Sequence, residues 1–185
     1  MPFGATPQFQ VCTSSPYRPT TTEGPADTDA RPWKEAVTEP MTRILVVDDE
    51  PDVLLLCRVN LQHAGYDVLE ASDGERGLAL AMSEAPDALV LDLMLPLLDG
   101  YGVLERLQAD ERTRTIPVVV LTAKAQREDR VRCWEQGASE YMTKPFSPVA
   151  LSATLTELLT MSPTQREDRR NDVLRKLRDE SPSWR

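Results

Sequence analysis

The sequence predicts a doubly wound α/β domain across residues 41–160 of the 185-residue chain. Short apolar runs alternate five times with longer segments in which apolar residues recur at helical spacing. The runs are continuous rather than alternating, as in parallel strands buried on both faces. Polar residues stand where four of the runs end. Five consecutive strand–helix units imply a parallel sheet covered by helices on both sides.

The five strands are predicted where aliphatic residues cluster between turn-forming residues. Their predicted ranges are 44–47 (β1), 66–71 (β2), 88–91 (β3), 117–121 (β4) and 141–142 (β5). Acids follow β1 and β3 directly, a threonine follows β4, and a lysine lies just beyond β5. These polar ends are the first indication of a functional site.

Five helices are predicted, one after each strand, from their capping residues. Pro51 suits the first turn of the first helix, and Gly65 ends that helix. The other boundary residues are Ser72 and Asp73 before the second helix, Asp99 before the third, Gly137 after the fourth and Ser147 before the fifth. We expect Asp99 to act as a cap rather than in chemistry.

Two flanking segments differ from this domain in composition. Residues 1–40 contain seven prolines and seven threonines without apolar periodicity, which predicts a disordered leader. This segment is either a real leader or an over-extended start, with Met41 as the natural first residue. Residues 161–185 form a charged tail that can make at most one helix, with Thr164 and Glu167 as a capping box. We expect no output domain.

Charge and composition exclude several classes of protein. Residues 41–160 carry 11 basic and 20 acidic groups, so direct DNA binding by this part is disfavoured. The sequence contains no apolar stretch of the length that crosses a membrane. Three widely spaced cysteines indicate free thiols in a reducing compartment. The sequence therefore predicts a cytoplasmic protein.

The polar strand ends define the predicted site. In a parallel α/β sheet, functional groups gather beyond the carboxyl ends of the strands. Asp48, Asp49 and Asp92 should meet there with the hydroxyl of Thr122 and the ammonium of Lys144. Clustered carboxylates need a counter-charge, and a hard cation such as Mg²⁺ supplies it. We expect a carboxylate to attack phosphorus, with Thr122 and Lys144 contacting the phosphoryl oxygens.

Four motifs in the right order resemble the receiver domain of bacterial two-component response regulators. They are ILVVDDE at 44–50, DLMLPLLDG at 92–100, VLTAK at 120–124 and YMTKPF at 141–146. The resemblance covers 41–160. It implies a flavodoxin-like fold with strand order 2-1-3-4-5 and transfer of a phosphoryl group from a sensor histidine kinase or phosphotransfer protein to Asp92.

The resemblance also assigns roles to individual residues. It implies Mg²⁺ bound directly by Asp49, Asp92 and the backbone carbonyl of Met94, with Asp48 acting largely through a water. It implies that Met94 and Lys124 tune the lifetime of the phosphoryl group. It further implies a cis peptide bond before Pro145. The domain would catalyse its own phosphorylation and dephosphorylation without being a turnover enzyme.

Signalling should then occur through a change of surface. The resemblance implies that Thr122 and Tyr141 move together on phosphorylation and alter the face formed by the fourth helix, fifth strand and fifth helix. Residues 127–131 resemble a subclass that dimerises through this face. Thr154, however, stands where that subclass has a pairing arginine. We therefore expect a monomer or weak dimer and an unknown downstream protein.

Two other functions are weighed against this one. The first is a receiver-like scaffold or binding module without phosphotransfer, although all the acids and the lysine are present. The second is a Mg²⁺ phosphatase, which is disfavoured because Met94 replaces a second acid and no phosphate-binding glycine loop occurs. Glu50 is predicted to be a solvated first-turn acid. His63, the only histidine, is expected to have no relay role.

Overall fold

Five short strands form one parallel sheet at the centre of the domain. The computed structural model describes residues 41–179. The strands are β1 (Arg43–Val47), β2 (Asp67–Ala71), β3 (Ala88–Leu91), β4 (Val118–Thr122) and β5 (Glu140–Thr143). The order across the sheet is β2-β1-β3-β4-β5. The predicted flavodoxin-like topology is confirmed, with strand ends that differ from the predicted ones by at most one residue.

Six helices are described in residues 41–179, one more than the five predicted for the domain. They are α1 (Pro51–His63), α2 (Gly74–Glu84), α3 (Gly100–Ala109), α4 (Arg127–Glu135), α5 (Pro148–Thr160) and α6 (Pro163–Asp179). The sixth is the single helix considered possible for the tail. None of the helices in residues 41–179 combines the length and apolar character that a membrane span requires.

Two apolar cores lie on opposite faces of the sheet because successive strand residues point to opposite sides. Along β1, Leu45 and Val47 belong to the core that also contains residues of α2 and α3. Ile44 and Val46 belong to the other core, with residues of α1 and α5. Burial of β1, β3 and β4 on both faces explains why these strands are continuous apolar runs in the sequence.

Most predicted helix boundaries are found. The carboxylates of Asp73 and Asp99 accept hydrogen bonds from the backbone N–H groups of Arg76 and Gly102, both at 2.8 Å. Gly65 and Gly137 follow α1 and α4 with φ angles of 92° and 94°. This left-handed backbone conformation favours glycine, so each glycine ends its helix at low cost.

The capping box predicted for α6 was placed two residues too late. The Ser162 hydroxyl accepts from the backbone N–H of Gln165 at 3.2 Å, and the Gln165 side chain accepts from the Ser162 N–H at 2.8 Å. Pro163 then occupies the first helical position, where its missing N–H costs nothing. Thr164 and Glu167 therefore lie inside the helix. The leader predicted at 1–40 lies outside the described residues.

Candidate phosphoryl-acceptor site

Two buried aspartates lie side by side at the carboxyl end of the sheet because β1 and β3 are neighbours in register. Val47 pairs with Leu91, so Asp48 and Asp92 are the next residues on adjacent strands. The Asp92 backbone N–H donates to the Val47 carbonyl at 2.9 Å, which continues the ladder past the end of β3. Topology thus brings together two carboxylates separated by 44 positions in the sequence.

Asp49 completes a three-carboxylate cluster. One oxygen from each of Asp48, Asp49 and Asp92 can be chosen so that all three lie within 4.8 Å of one another. Asp48 and Asp92 are buried, whereas Asp49 is exposed. Oxygen donors with an open side are the ligand set that a hard divalent cation such as Mg²⁺ prefers. The donor set at this site fits the predicted ion.

Lys144 supplies the positive charge at the cluster. Its ammonium nitrogen lies 2.7 Å from Asp48 Oδ2 and 2.8 Å from Asp92 Oδ2, and only 13% of its side chain is exposed. Burial alone would lower the pKa of Lys144, but hydrogen bonds to Asp48, Asp92 and Glu50 outweigh it and raise that pKa. Lys144 is therefore a fixed cation. Asp48, Asp49, Asp92 and Lys144 are called the carboxylate site below.

The electrostatic cost of this arrangement falls on Asp48. Burial raises the pKa of Asp48 above its ordinary value, and hydrogen bonds from Lys144 and from the Glu50 backbone N–H only partly offset this. The proximity of Asp92 raises it further. One ammonium cannot neutralise three carboxylates, so the site has a surplus of negative charge that a cation would offset.

Thr122 lies at the end of β4, between the strands that carry Asp92 and Lys144. It is fully buried, and its hydroxyl oxygen accepts from the Lys124 backbone N–H at 3.3 Å. Its carbonyl accepts from the Lys144 backbone N–H at 2.9 Å, next to the cis Lys144–Pro145 bond that was predicted. Thr122 is thus at the same rim as the carboxylate site.

Tyr141 lies one strand further out, on β5 and half-buried. Its hydroxyl donates to the Lys124 carbonyl at 2.6 Å, which ties β5 to the loop between β4 and α4. Burial is the main cause that raises the pKa of Tyr141 to about 12, so its hydroxyl keeps its proton at neutral pH. The predicted switch pair thus flanks one loop.

The two residues expected to tune the phosphoryl lifetime are arranged differently. The Met94 backbone N–H donates to Asp92 Oδ1 at 3.1 Å, and the Met94 side chain is largely exposed. The Lys124 ammonium lies 3.7 Å from Asp129 Oδ1 and 4.9 Å from the centre of the Tyr101 ring. Met94 therefore borders Asp92, while Lys124 contacts groups on α3 and α4.

The structure adds one contact and one group that were not predicted from the sequence. Glu50 is exposed, as predicted, but its Oε1 also lies 2.8 Å from the Lys144 ammonium. The missed group is Tyr101, whose hydroxyl donates to Asp129 at 2.6 Å. Glu50 follows the acidic pair directly, which could have indicated its role. No sequence signal links α3 to α4 in this way.

Gly100 maintains the backbone path beside Asp92. A Cβ atom at this position would lie 2.3 Å from the Asp92 carbonyl oxygen and 2.7 Å from the Leu93 Cα. Both are backbone atoms that cannot move aside without shifting Asp92. Any side chain at residue 100 would therefore displace Asp92, which gives the DG pair of the motif a physical reason.

Comparisons with known proteins agree with this geometry. Residues 44–156 match the response regulator receiver domain family. The chain is 48% identical over 119 residues to the DNA-binding dual master transcriptional regulator RpaA of Synechocystis, covering 64% of this chain and 49% of that protein. It is 47% identical over 120 residues to the alkaline phosphatase synthesis transcriptional regulatory protein PhoP of Bacillus subtilis, covering 65% and 49%.

Solved structures give the same result for the fold. A response regulator from Chloroflexus aurantiacus aligns with a TM-score of 0.63 and 34% identity, covering 65% of this chain and 99% of that one. The chemotaxis response regulator CheY4 of Vibrio cholerae aligns with a TM-score of 0.61 and 29% identity, covering 64% and 98%. The chain spans about half the length of the curated relatives it matches.

Proposed function

Because the chain belongs to the response regulator receiver domain family and so has a role in two-component signalling, we propose that Asp92 accepts a phosphoryl group from a histidine kinase or phosphotransfer protein. One observation carries the proposal: a buried Asp92 carboxylate lies 2.8 Å from the Lys144 ammonium and beside two further acids. The proposed donor is cytoplasmic, and so is the expected location of the chain.

In the proposed reaction, an Asp92 oxygen attacks phosphorus and the phosphorus–nitrogen bond of a phosphohistidine breaks. The donor imidazole keeps the electron pair and takes a proton, and an acyl phosphate is formed on Asp92. Lys144 would leave its contact with the Asp92 carboxylate and donate to a phosphoryl oxygen. The Thr122 hydroxyl would donate to another, since β4 is the strand next to β3.

Asp49, Asp92 and the Met94 carbonyl would hold Mg²⁺, with Asp48 largely in contact through water. When bound, the ion would offset negative charge that builds up on the phosphoryl oxygens. Asp48 keeps a second role, since its carboxylate accepts from Lys144 at 2.7 Å and holds the ammonium at the acceptor. Met94, largely exposed beside Asp92, would limit the approach of hydrolytic water and so lengthen the phosphoryl lifetime.

The proposed output is a change of the α4–β5–α5 surface. Movement of Thr122 toward the phosphoryl group would pull the loop that contains Lys124, because the Thr122 hydroxyl oxygen accepts from the Lys124 N–H. The Lys124 carbonyl accepts a hydrogen bond from the Tyr141 hydroxyl. A shift at Thr122 therefore weakens the contact that holds Tyr141, and the tyrosine rotates.

The partner on the output side is proposed to be a protein. The relative RpaA is described as DNA-binding, but the chain covers only about half of it. Residues 41–160 carry a net charge of −9 from 11 basic and 20 acidic groups, which opposes contact with phosphate backbones. A filter-binding assay at low salt checks this, with little retention of duplex DNA as the expected result.

Phosphotransfer is tested by incubation with Mg²⁺ and acetyl phosphate followed by intact-protein mass spectrometry. We expect one added phosphoryl group, lost in Asp92→Asn and retained in Asp99→Asn. Asp99 is a matched control, because it lies in the same motif but caps α3. If neither acetyl phosphate nor a panel of histidine kinases gives the adduct, the chain is better described as a receiver-like scaffold.

A further inference from the structure

The tail helix α6 covers part of the proposed output surface. Leu174 and Leu177 pack against Trp134 of α4, and all three side chains are buried. Val131 of α4 and Val173 of α6 border this cluster. Buried and half-buried residues of α6 recur every three or four positions, so one side of the helix faces the domain. This side carries arginines in the first half of the helix and Val173, Leu174 and Leu177 in the second half. These apolar side chains, with Val131 and Trp134, are called the α6 interface below.

Polar contacts attach α6 to each element of the α4–β5–α5 surface. Arg169 lies 2.5 Å from Glu140 of β5 and 2.8 Å from Glu157 of α5. Arg178 lies 2.6 Å from Glu135 near the end of α4. A partner that used this surface would need the same apolar patch and the same acids. It would therefore compete with α6 for them.

Arg127 closes the end of the tail helix. Its guanidinium, on the first residue of α4, donates to the carbonyls of Leu177 and Arg178. These carbonyls are in the last turn of α6, where backbone acceptors lack partners within the helix and a cation is favourable. The first turn of α4 and the last turn of α6 are thereby linked, and a movement of α4 would be transmitted to α6.

Tyr141 connects the α6 interface to the carboxylate site. The tyrosine packs against the core that contains residues of α2 and α3, and also against the cluster of Trp134, Leu174 and Leu177. Its hydroxyl donates to the Lys124 carbonyl, two residues beyond Thr122. The residue proposed to rotate on phosphorylation is therefore one of the residues on which α6 rests.

We propose that α6 is an intramolecular cover of the α4–β5–α5 surface that leaves when phosphorylation of Asp92 moves Tyr141. This inference rests on the proposed function and adds its regulation. Only two residues separate α5 from α6, so the tethered helix has a high effective concentration at its site. A separate partner in the unphosphorylated state must compete against that advantage. Phosphorylation reduces the advantage of α6 over a separate partner, because it removes part of the surface that α6 contacts.

The test is hydrogen–deuterium exchange on the full chain with Mg²⁺, with and without acetyl phosphate. We expect the donor to accelerate exchange of the backbone amides of 166–177 on the order of tenfold, within the usual range of allosteric coupling. The acceleration should vanish in Asp92→Asn. An Asp92 adduct that leaves α6 exchange unchanged overturns the release. Failure to form any adduct overturns the proposed function first, and the release with it.

Two matched double variants separate the cover from general helix stability. Leu174→Gln with Leu177→Gln changes the buried face of α6, and Arg175→Gln with Lys176→Gln changes its exposed face. In the buried-face variant, the α6 amides should exchange rapidly without acetyl phosphate, and their exchange should change little when it is added. The exposed-face variant should behave as wild type. Equal donor responses in the two variants would contradict the proposal.

A reciprocal measurement gives a second reading. If phosphorylation weakens the seating of α6, loss of that seating must favour the phosphorylated conformation by the same factor. The buried-face variant should bind Mg²⁺ with beryllium fluoride, a phosphoryl mimic, about tenfold more tightly than wild type. An unchanged affinity would mean that α6 and the carboxylate site are not coupled.

Discussion

The carboxylate site and the contacts of α6 with the rest of the domain contain ion pairs of similar length in very different surroundings. Lys144 lies 2.7 Å from Asp48, whose side chain is 2% exposed, and Arg178 lies 2.6 Å from Glu135, whose side chain is 47% exposed. Water therefore screens the second pair much more strongly than the first. Distance alone therefore does not measure the energy of these contacts.

The difference also concerns what holds each region together. The carboxylate site consists of charged side chains whose burial is unfavourable, and the stability of the surrounding sheet offsets that unfavourable free energy. Where α6 meets the domain, the apolar contacts of Trp134, Leu174 and Leu177 supply most of the stabilisation, and the surrounding ion pairs fix the position of the helix. The first region can therefore do chemistry. The second can detach without leaving buried charges unpaired.

Replacing the buried ammonium should have the largest effect on stability. Lys144→Ala leaves Asp48 and Asp92 buried without their cation, so the free energy of unfolding at neutral pH should fall by about 3–5 kcal/mol. Urea denaturation in EDTA measures this. The penalty relative to wild type should shrink as the pH falls, because protonation of the carboxylates removes their repulsion. Lys124→Ala, whose cation is more exposed, should cost less than about 1 kcal/mol.

Trp134→Ala should come next and should act through packing alone. The indole is buried at the centre of the α6 interface, and its loss should lower the free energy of unfolding by about 3 kcal/mol. The same urea series measures it, and the cost should hardly depend on pH. A pH-dependent loss of stability like that of Lys144→Ala would mean that the carboxylate site and the α6 interface are energetically coupled.

Much of this organisation follows from sequence for one physical reason. Parallel strands buried on both faces give continuous apolar runs in the sequence. The polar residue that follows such a run lies at the carboxyl edge of the sheet, where functional groups gather. That reasoning reached Asp48, Asp92 and Lys144 without a structure. The order of the strands in the sheet could be predicted only from the family resemblance, because apolar runs do not reveal which strands are neighbours.

The parts that could not be predicted depend on tertiary contacts of exposed, charged segments. The α6 sequence has a thin apolar stripe among arginines and acids, and nothing in it indicates that Arg127 would cap its last turn. The capping box at the start of α6 was predicted two residues too late because Ser162–Gln165 and Thr164–Glu167 have the same spacing and similar residue types. The contact between Glu50 and Lys144 was missed because Glu50 directly precedes α1 and was assigned to the solvated first turn of that helix.

Addition of Mg²⁺ should stabilise the carboxylate site without affecting the α6 interface. At a free concentration of one hundred times its Kd, a ligand that binds only the folded state adds about 2.7 kcal/mol. Thermal unfolding with Mg²⁺ and with EDTA measures the gain. The gain should disappear in Asp49→Asn and persist in Leu174→Gln with Leu177→Gln. If the latter variant also loses it, the two regions are coupled before phosphorylation.

The smallest effect is expected for an ion pair at the edge of α6. Arg169 and Glu157 lie 2.8 Å apart, but their side chains are 28% and 59% exposed. A double-mutant cycle with Arg169→Gln and Glu157→Gln should give a coupling energy below about 1 kcal/mol in low salt. In 1 M salt the coupling should nearly vanish, since the screening length falls to about 3 Å. A coupling above about 2 kcal/mol that ignores salt would place this pair with Lys144 and Asp48, and the contrast between the regions would then fail. A small, salt-sensitive coupling would leave the leucines as the main attachment of α6, which is what a cover that must detach requires.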